Sequence, residues 1–493
     1  MSHRKAKKQR KAARQYSTIE EHKRLGQTLT PPILTIPNVA PRSWVDDRLP
    51  EMLWAALVVS HLDREAALDV FRAVAKYVAS EANRGQLKLS SITHSALAEY
   101  SPETQDKVIG IITRDLPQRE ALRSLLIFED LPAREAWIRA FGAPLGAIDS
   151  TPVAIAVAKT LDHQSQESTD CRWAKVLVML AAGRLHLPSE ELVREIAEYP
   201  DFGDQRKVRP SIRASELAFG SMNADVTDAP PWAAQFWAKC LVATPCQLPS
   251  NTFDGESPSV IGTTSQRVKE VYGDVIKHAA LCLATSAVDP KHDAVFGIVL
   301  YALSVLKEVM RPGLGNSIIA RMALRSVLES YVTLAYLIKR QDEKLWQSYR
   351  VYGAGQAKLS FLKLTQNEEL PNYVSVQTLE LLANEDRWQE FVKIDLGHWD
   401  RSNLRQMSEV AGVKPDYDAF YSWPSAYSHG QWGAVRDAVF ATCLNPLHRL
   451  HRIPRSSARM LDDVVPDVCV LVDKMLDLVD SAYPSLTIRV RVA

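Results

Sequence analysis

Residues able to do chemistry concentrate in two separated stretches of this 493-residue chain. The first, RMALRSVLESYVTLAYLIK, carries Arg321, Arg325 and Glu329 at four-residue spacing. The second, YSWPSAYSHGQWGAVR, carries Ser425 and His429. A histidine titrates near neutral pH and suits a general base, and an arginine holds a phosphate through two parallel N–H bonds. Together these residue types are suited to chemistry on a phosphodiester.

The first stretch has the pattern of a helix that faces another helix. With 3.6 residues per turn, Arg321 and Glu329 fall within about 40° of Arg325. Val332 and Tyr336 share that face, so the face is not polar throughout. We therefore predict a partly buried Arg325–Glu329 pair that a neighbouring helix satisfies. The alternative is an ordinary amphipathic helix with its charged stripe in water.

The second stretch predicts that neighbouring helix, over residues 424–444. Its proline suits the first turn, and Ser425, His429, Trp432 and Arg436 would then line one face. The alternative to catalysis is a buried hydrogen-bond network that only orients the two helices. The candidate catalytic residues are Arg325, Glu329, Ser425 and His429.

Other arginines predict contacts to a nucleic acid. The run HRLHRIPRSSAR favours an anion or RNA contact. The net charge is only +1, so any such attraction must come from local patches. The first 14 residues hold seven Lys or Arg and no acid, which predicts either a nucleic-acid arm or a solvated tail. The candidate nucleic-acid-binding residues are Arg321, Arg436, Arg449 and Arg452.

The same run contains His448 and His451, whose spacing is that of metal ligands. No carboxylate or cysteine adjoins the pair, and the surrounding arginines would repel a cation. The six cysteines are scattered without a CxxC pair, which argues against a zinc ribbon and a secreted disulfide framework. We therefore expect no metal, no cofactor and a reducing cytoplasm.

The elements that must position these residues are helical throughout. Sustained alternation with a period of two is absent up to the last residues, where LTIRVRV alternates like a strand. Proline-rich linkers divide the chain, so we predict an all-α protein with two helical domains. The predicted segments are a basic disordered tail and linker (1–42), a helical domain (49–243), a linker (244–263), a second helical domain (264–483) and a tail (484–493).

Composition is that of a soluble globular protein, with 46% hydrophobic and 24% charged residues. The longest hydrophobic stretch runs from Ala294 to Leu306. It is shorter than the ~20 apolar residues of a membrane span, so we expect a buried helix and no membrane partner.

The two motifs together resemble the bacterial domain of unknown function 5677. LRSVLESYVTLAYLIK followed by SAYSHG is similar to that family's Arg-x-x-x-Glu helix and later Ser-x-x-x-His helix. The resemblance covers residues 264–483. The family is similar to the HEPN superfamily of helical bundles, which implies a HEPN-like C-terminal domain. Many HEPN proteins are RNases of toxin and anti-phage systems, although none of the twelve histidines here has the usual HEPN spacing to an upstream arginine.

This resemblance implies a cytoplasmic defence effector that targets RNA. In that reading His429 is the base and Arg325 stabilises the phosphate in metal-independent RNA cleavage. The alternative is a non-enzymatic module that binds nucleic acid or protein. We expect RNA or a protein as partner, and a homo-oligomer, a dimer.

Overall fold

A computed structural model describes most of the chain, and this part is mostly α-helical. The prediction of an all-α protein is therefore confirmed. Within this described part, strand is confined to two short pairs, Lys23–Leu25 with Thr28–Thr30 and Phe440–Thr442 with Arg452–Pro454. The described residues are 22–30, 43–85, 87, 91–114, 116–185, 187, 189–199, 205–222, 231–248, 264–364, 366, 371–384, 393–449, 451–455 and 460–491.

The chain divides into two compact units. The first comprises Met1–Pro249 together with Thr442–Arg452, and the second comprises Ser250–Ala441 together with Ile453–Ala493. The eleven-residue segment 442–452, far along the chain, belongs to the first unit, whereas the predicted division placed it in the second helical domain. The basic segment 1–14 lies outside the described residues.

Helices packed around large aromatic side chains form the first unit. Trp54, Trp137 and Trp173 are fully buried in its core. Side-chain oxygens of Asp63 and Ser165 accept backbone N–H bonds where two of its longest helices begin. The helices are Leu53–His61, Arg64–Asn83, His94–Ala98, Pro102–Ile112, Leu116–Arg123, Arg134–Phe141, Thr151–Thr160, Gln166–Ala181, Glu190–Ala197, Gln205–Met222 and Pro231–Ala243. Shorter helical turns span Trp44–Arg48, Pro50–Met52, Ser124–Ile127 and Pro446–His448.

The second unit is built around the helix Ile318–Arg340, here called the Arg325 helix. The Ser317 hydroxyl accepts the Ala320 N–H at 3.2 Å and caps its start, and Gln341 in the left-handed region ends it. Leu324, Leu328 and other apolar residues on one face are buried in the unit's core. The helices of this unit are Ser265–Cys282, Pro290–Val309, Ile318–Arg340, Glu343–Leu364, Val376–Ala383, Leu404–Ala411, Lys414–Phe420, Ser422–Ser428, Trp432–Val439 and Val465–Ala482.

The helix predicted over 424–444 is wrong in its extent. It is two helices, Ser422–Ser428 (here called the Ser425 helix) and Trp432–Val439, followed by a short strand. The break falls at Gly430, whose φ of +57° lies in the left-handed region that a glycine enters without steric cost. Trp432 and Arg436 therefore lie on a different helix from Ser425.

The C-terminal tail alternates like a strand in sequence, but no strand is assigned in its described part, residues 484–491. Leu486 and Val490 are instead buried against the core of the second unit. Arg489 lies 2.7 Å from Asp477, and Arg491 lies 2.8 Å from Asp473. The apolar members of the alternating pattern pack inward without strand pairing.

Among the described helices, none combines the length and the hydropathy needed to cross a membrane.

Candidate functional site

Arg325 lies at the centre of the polar cluster that the sequence predicts. One turn separates it from Glu329 on the same helix, and its Nε donates to Glu329 Oε1 at 2.8 Å. The Arg325 side chain is 17% exposed and that of Glu329 is 40% exposed, so the pair lies at the rim of the unit. The predicted partly buried pair is present.

The Ser425 helix supplies the partners from about a hundred residues further along the chain. The His429 N–H donates to the Ser425 carbonyl at 3.2 Å, which places the two side chains one helical turn apart. Arg325 Nη1 donates to Ser425 Oγ at 2.9 Å and contacts His429 Nε2 at 2.9 Å. A guanidinium can only donate, so this geometry assigns the lone pair to His429 Nε2 and the proton to Nδ1.

Two tyrosines complete the cluster, and the sequence analysis missed both. Arg325 Nη2 donates to the Tyr421 hydroxyl at 3.5 Å, and the Tyr421 ring centroid lies 5.2 Å from the guanidinium carbon. Tyr417 stacks on Tyr421 with ring centroids 4.6 Å apart. The available signal was spacing, since Tyr421 precedes Ser425 by four residues and His429 by eight.

The surroundings keep Arg325 charged. Burial acts to lower the pKa of the guanidinium, but the hydrogen bond and negative charge of Glu329 outweigh it, and Tyr421 and Tyr417 add smaller contributions. The pKa of Arg325 is therefore raised above its ordinary value. A permanent cation is held at a fixed position by four side chains.

The guanidinium has donor capacity left for a ligand. It carries five N–H groups, and three of them are used in the short contacts of Nε and Nη1. Among the described residues, Nη2 has one contact, the Tyr421 hydroxyl at 3.5 Å, which is longer than an ordinary hydrogen bond. His429 is exposed beside it. An anion arriving from solvent would therefore meet an Nη2 edge and an imidazole together.

The four arginines predicted to bind nucleic acid are divided between the two units. Arg321 is only 8% exposed and interacts with the Tyr427 phenol, whereas Arg436 is exposed on the helix after the break. Arg449 and Arg452 belong to the first unit, whereas the Arg325 cluster belongs to the second. Arg436 is the one member that lies exposed in the same unit as Arg325.

Exposed tryptophans lie on the Ser425 helix and on the next helix, Trp432–Val439. Trp423 is 52% exposed and Trp432 is 62% exposed. A Cβ added at Gly433 would come within 3.3 Å of the Trp423 ring, so this glycine lets the indole lie against the next helix. The Trp423 ring also meets Tyr427 edge-on at 5.5 Å. Large aromatic faces are thus presented to solvent on the Ser425 helix and its successor.

Comparison with known families identifies the segment that carries this cluster. Residues 292–442 match the family described as "Family of unknown function (DUF5677)". The matched segment contains Arg325, Glu329, Ser425 and His429, and the predicted resemblance is confirmed over it. No curated protein and no solved structure matches the chain.

Proposed function

We propose that the Arg325 cluster of this family segment binds and cleaves RNA. The observation that supports it is the sharing of Arg325 Nη1 between Ser425 Oγ and His429 Nε2, both at 2.9 Å, at an exposed rim. A fixed cation beside an imidazole lone pair is the pairing that phosphodiester transfer requires. The HEPN-like character of the bundle and a role in defence are parts of this proposal.

The proposed reaction uses the ribose of the RNA as nucleophile. A phosphate oxygen takes the Arg325 Nη2 and Nη1 N–H groups and displaces His429 from Nη1, which frees the Nε2 lone pair. His429 then removes the proton of the 2′-hydroxyl, and O2′ attacks phosphorus. The bond from phosphorus to O5′ breaks, and the departing oxygen takes a proton from solvent. The products are a 2′,3′-cyclic phosphate and a 5′-hydroxyl end.

The other members of the cluster hold Arg325 in place. Glu329 binds Nε and leaves the Nη2 edge facing outward, and Ser425 fixes one N–H of Nη1. The oriented Arg325 N–H groups would stabilise the negative charge that develops on the phosphate. Such electrostatic stabilisation is usually the largest single contribution to rate enhancement in enzymes. Trp423 and Trp432 offer faces on which unpaired bases stack.

A binding module without catalysis is the second candidate. It is favoured by the degree to which Arg325 is already satisfied, because a carboxylate, a hydroxyl and an imidazole engage three of its N–H groups. In that case the same cation and the exposed tryptophans hold RNA or a protein segment, and no bond breaks.

Expression in a bacterial host separates the two candidates. Wild type, His429→Ala and the neighbouring Ser428→Ala would be induced, and growth and total RNA integrity would be followed. Cleavage predicts growth arrest and fragmented RNA for wild type and Ser428→Ala, and intact RNA for His429→Ala. Equal RNA damage from wild type and His429→Ala removes His429 from catalysis. Intact RNA with wild type favours binding.

A further inference from the structure

Four metal-binding side chains converge in the first unit, outside the Arg325 cluster. They are Cys246, Cys443, His448 and His451, and their ligand atoms all lie within 4.8 Å of one another. Cys443 and His448 are buried, His451 is half-buried and Cys246 is exposed. The set combines two thiols with two imidazoles, which is a ligand set typical of structural zinc.

Three sulfur–nitrogen distances in the cluster are close to those of a tetrahedral zinc site. Bonds of about 2.3 Å to sulfur and about 2.0 Å to nitrogen place a sulfur and a nitrogen about 3.5 Å apart at the tetrahedral angle. Cys443 Sγ lies 3.3 Å from His448 Nδ1, and Cys246 Sγ lies 3.5 Å from the same atom. Cys246 Sγ lies 3.6 Å from His451 Nδ1.

Two sulfurs lie close to one imidazole nitrogen in this cluster. His448 Nδ1 has one lone pair, yet both sulfurs approach it. The other ring nitrogen, Nε2, lies 3.0 Å from the Thr244 carbonyl, so Nε2 carries the proton and Nδ1 points its lone pair at the sulfurs. A second contact that orients a ligating histidine in this way is usual at metal sites.

The backbone around the sulfurs is arranged as in a metal-binding loop. The Gln247 N–H donates to Cys443 Sγ at 3.3 Å, a contact that a metal-bound sulfur would also accept. The Cys443 N–H donates to the His451 carbonyl at 2.9 Å and closes the loop. Arg449 has a φ of +56°, a conformation that non-glycine residues rarely adopt, and it turns the chain so that His451 returns toward Cys443.

Two of the arginines that argued against a cation in the sequence have side-chain partners within the first unit. Arg449 pairs with Asp46, and Arg452 donates to the Thr442 hydroxyl. Two thiolates and two neutral imidazoles would balance the charge of a divalent ion. The expected repulsion is therefore offset, and the expected absence of a cysteine does not hold in three dimensions.

We propose that Cys246, Cys443, His448 and His451 bind one zinc ion as a structural site. All four positions are filled by the protein, so no position is open for a reacting water. The ion would fasten the returning segment 442–452 to the chain that follows the helix Pro231–Ala243. This site goes beyond the proposed RNA cleavage and is independent of it.

Zinc content of the full-length protein tests this proposal. Protein made in zinc-supplemented medium and dialysed would be measured by elemental mass spectrometry, with folding checked by circular dichroism. One zinc per chain is expected for wild type. Cys246→Ser and Cys443→Ser should each weaken zinc binding by about tenfold or more, and the exposed position of Cys246 leaves its variant folded. Cys282→Ser is the matched control and should keep the zinc, since Cys282 belongs to the second unit, where its sulfur lies 3.6 Å from His278 Nε2.

Cobalt provides the second readout. Titration of the zinc-free protein with Co²⁺ should give sulfur-to-cobalt charge-transfer absorption in wild type and Cys282→Ser, and a loss of intensity in the two cluster variants. Three results would overturn the proposal. They are absence of both metals from wild type, equal zinc in wild type and Cys246→Ser, and a Cys246–Cys443 disulfide in protein purified under reducing conditions.

Discussion

The contact between Arg325 and Ser425 can be measured as a coupling free energy. Arg325→Met removes the donors and keeps the length of the stem, and Ser425→Ala removes the acceptor. A hydrogen bond to a charged group contributes about 1.5–3 kcal/mol when buried. The Arg325 side chain is 17% exposed and Ser425 is half-buried, so solvent lowers this contribution. We expect a coupling of about 1 kcal/mol. For His429, which is exposed, we expect about half of that.

The assay is a double-mutant cycle by urea unfolding of the full chain. The free energy of unfolding would be followed through the transition that shifts with Arg325→Met, for wild type, both single variants and the double variant. Ser428→Ala with Arg325→Met is the control cycle, and its coupling should lie within about 0.3 kcal/mol of zero. Additivity in the Arg325–Ser425 cycle, matching that control, would refute the geometry on which the proposed site depends.

Three further substitutions test other parts of the fold. His94 is fully buried and burial lowers its pKa to about 3, so below its ordinary value of 6.5 the unfolded chain binds a proton that the folded chain does not. The free energy of unfolding of the first unit should therefore fall by about 2 kcal/mol from neutral pH to pH 5. Urea unfolding at the two pH values should show that His94→Phe removes this loss. An equal loss in both proteins would contradict the prediction. Glu216 is buried, with Arg48 at 2.7 Å and Lys175 at 3.1 Å. Glu216→Ala should therefore lower the free energy of unfolding by about 3–5 kcal/mol in the same assay. A loss below about 1 kcal/mol would contradict the buried pairing. Gly430 has a φ of +57°, with open space where a Cβ would lie. Gly430→Ala should therefore lower stability by about 1–2 kcal/mol through backbone strain alone, measured by thermal unfolding. Unchanged stability would contradict a helix break at Gly430.

The Arg325–Glu329 pair could be predicted because both residues lie on one helix. A four-residue spacing places two side chains on the same face whatever the rest of the fold does. Ser425 and His429 are also four residues apart, so they too share a helix face. We predicted that the two helices pack together because a partly buried Arg325–Glu329 pair needs hydrogen-bond partners. The prediction failed at Gly430, where one glycine ends a helix whose apolar pattern continues beyond it.

The cysteine–histidine cluster could not be predicted from spacing. Cys246 lies 197 residues before Cys443 in the chain. Their approach depends on the return of segment 442–452 to the first unit, and no local periodicity encodes such a return. Cys443 precedes His448 by only five residues, so this half of the cluster was readable in the sequence and was overlooked. Tyr421 was missed for a similar reason, because its ring acts through its face and hydroxyl on a residue from another helix.

Single-turnover cleavage of a defined single-stranded RNA tests the central proposal most directly. Purified wild type, His429→Ala and Ser428→Ala would be compared on the RNA and on the same strand with 2′-deoxy sugars, with product ends identified by mass spectrometry. Base catalysis by His429 predicts 2′,3′-cyclic phosphate ends, an uncut deoxy strand, and a rate about 10²–10⁴ lower for His429→Ala with Ser428→Ala unchanged. Cleavage of the deoxy strand, or equal rates for wild type and His429→Ala, would contradict it.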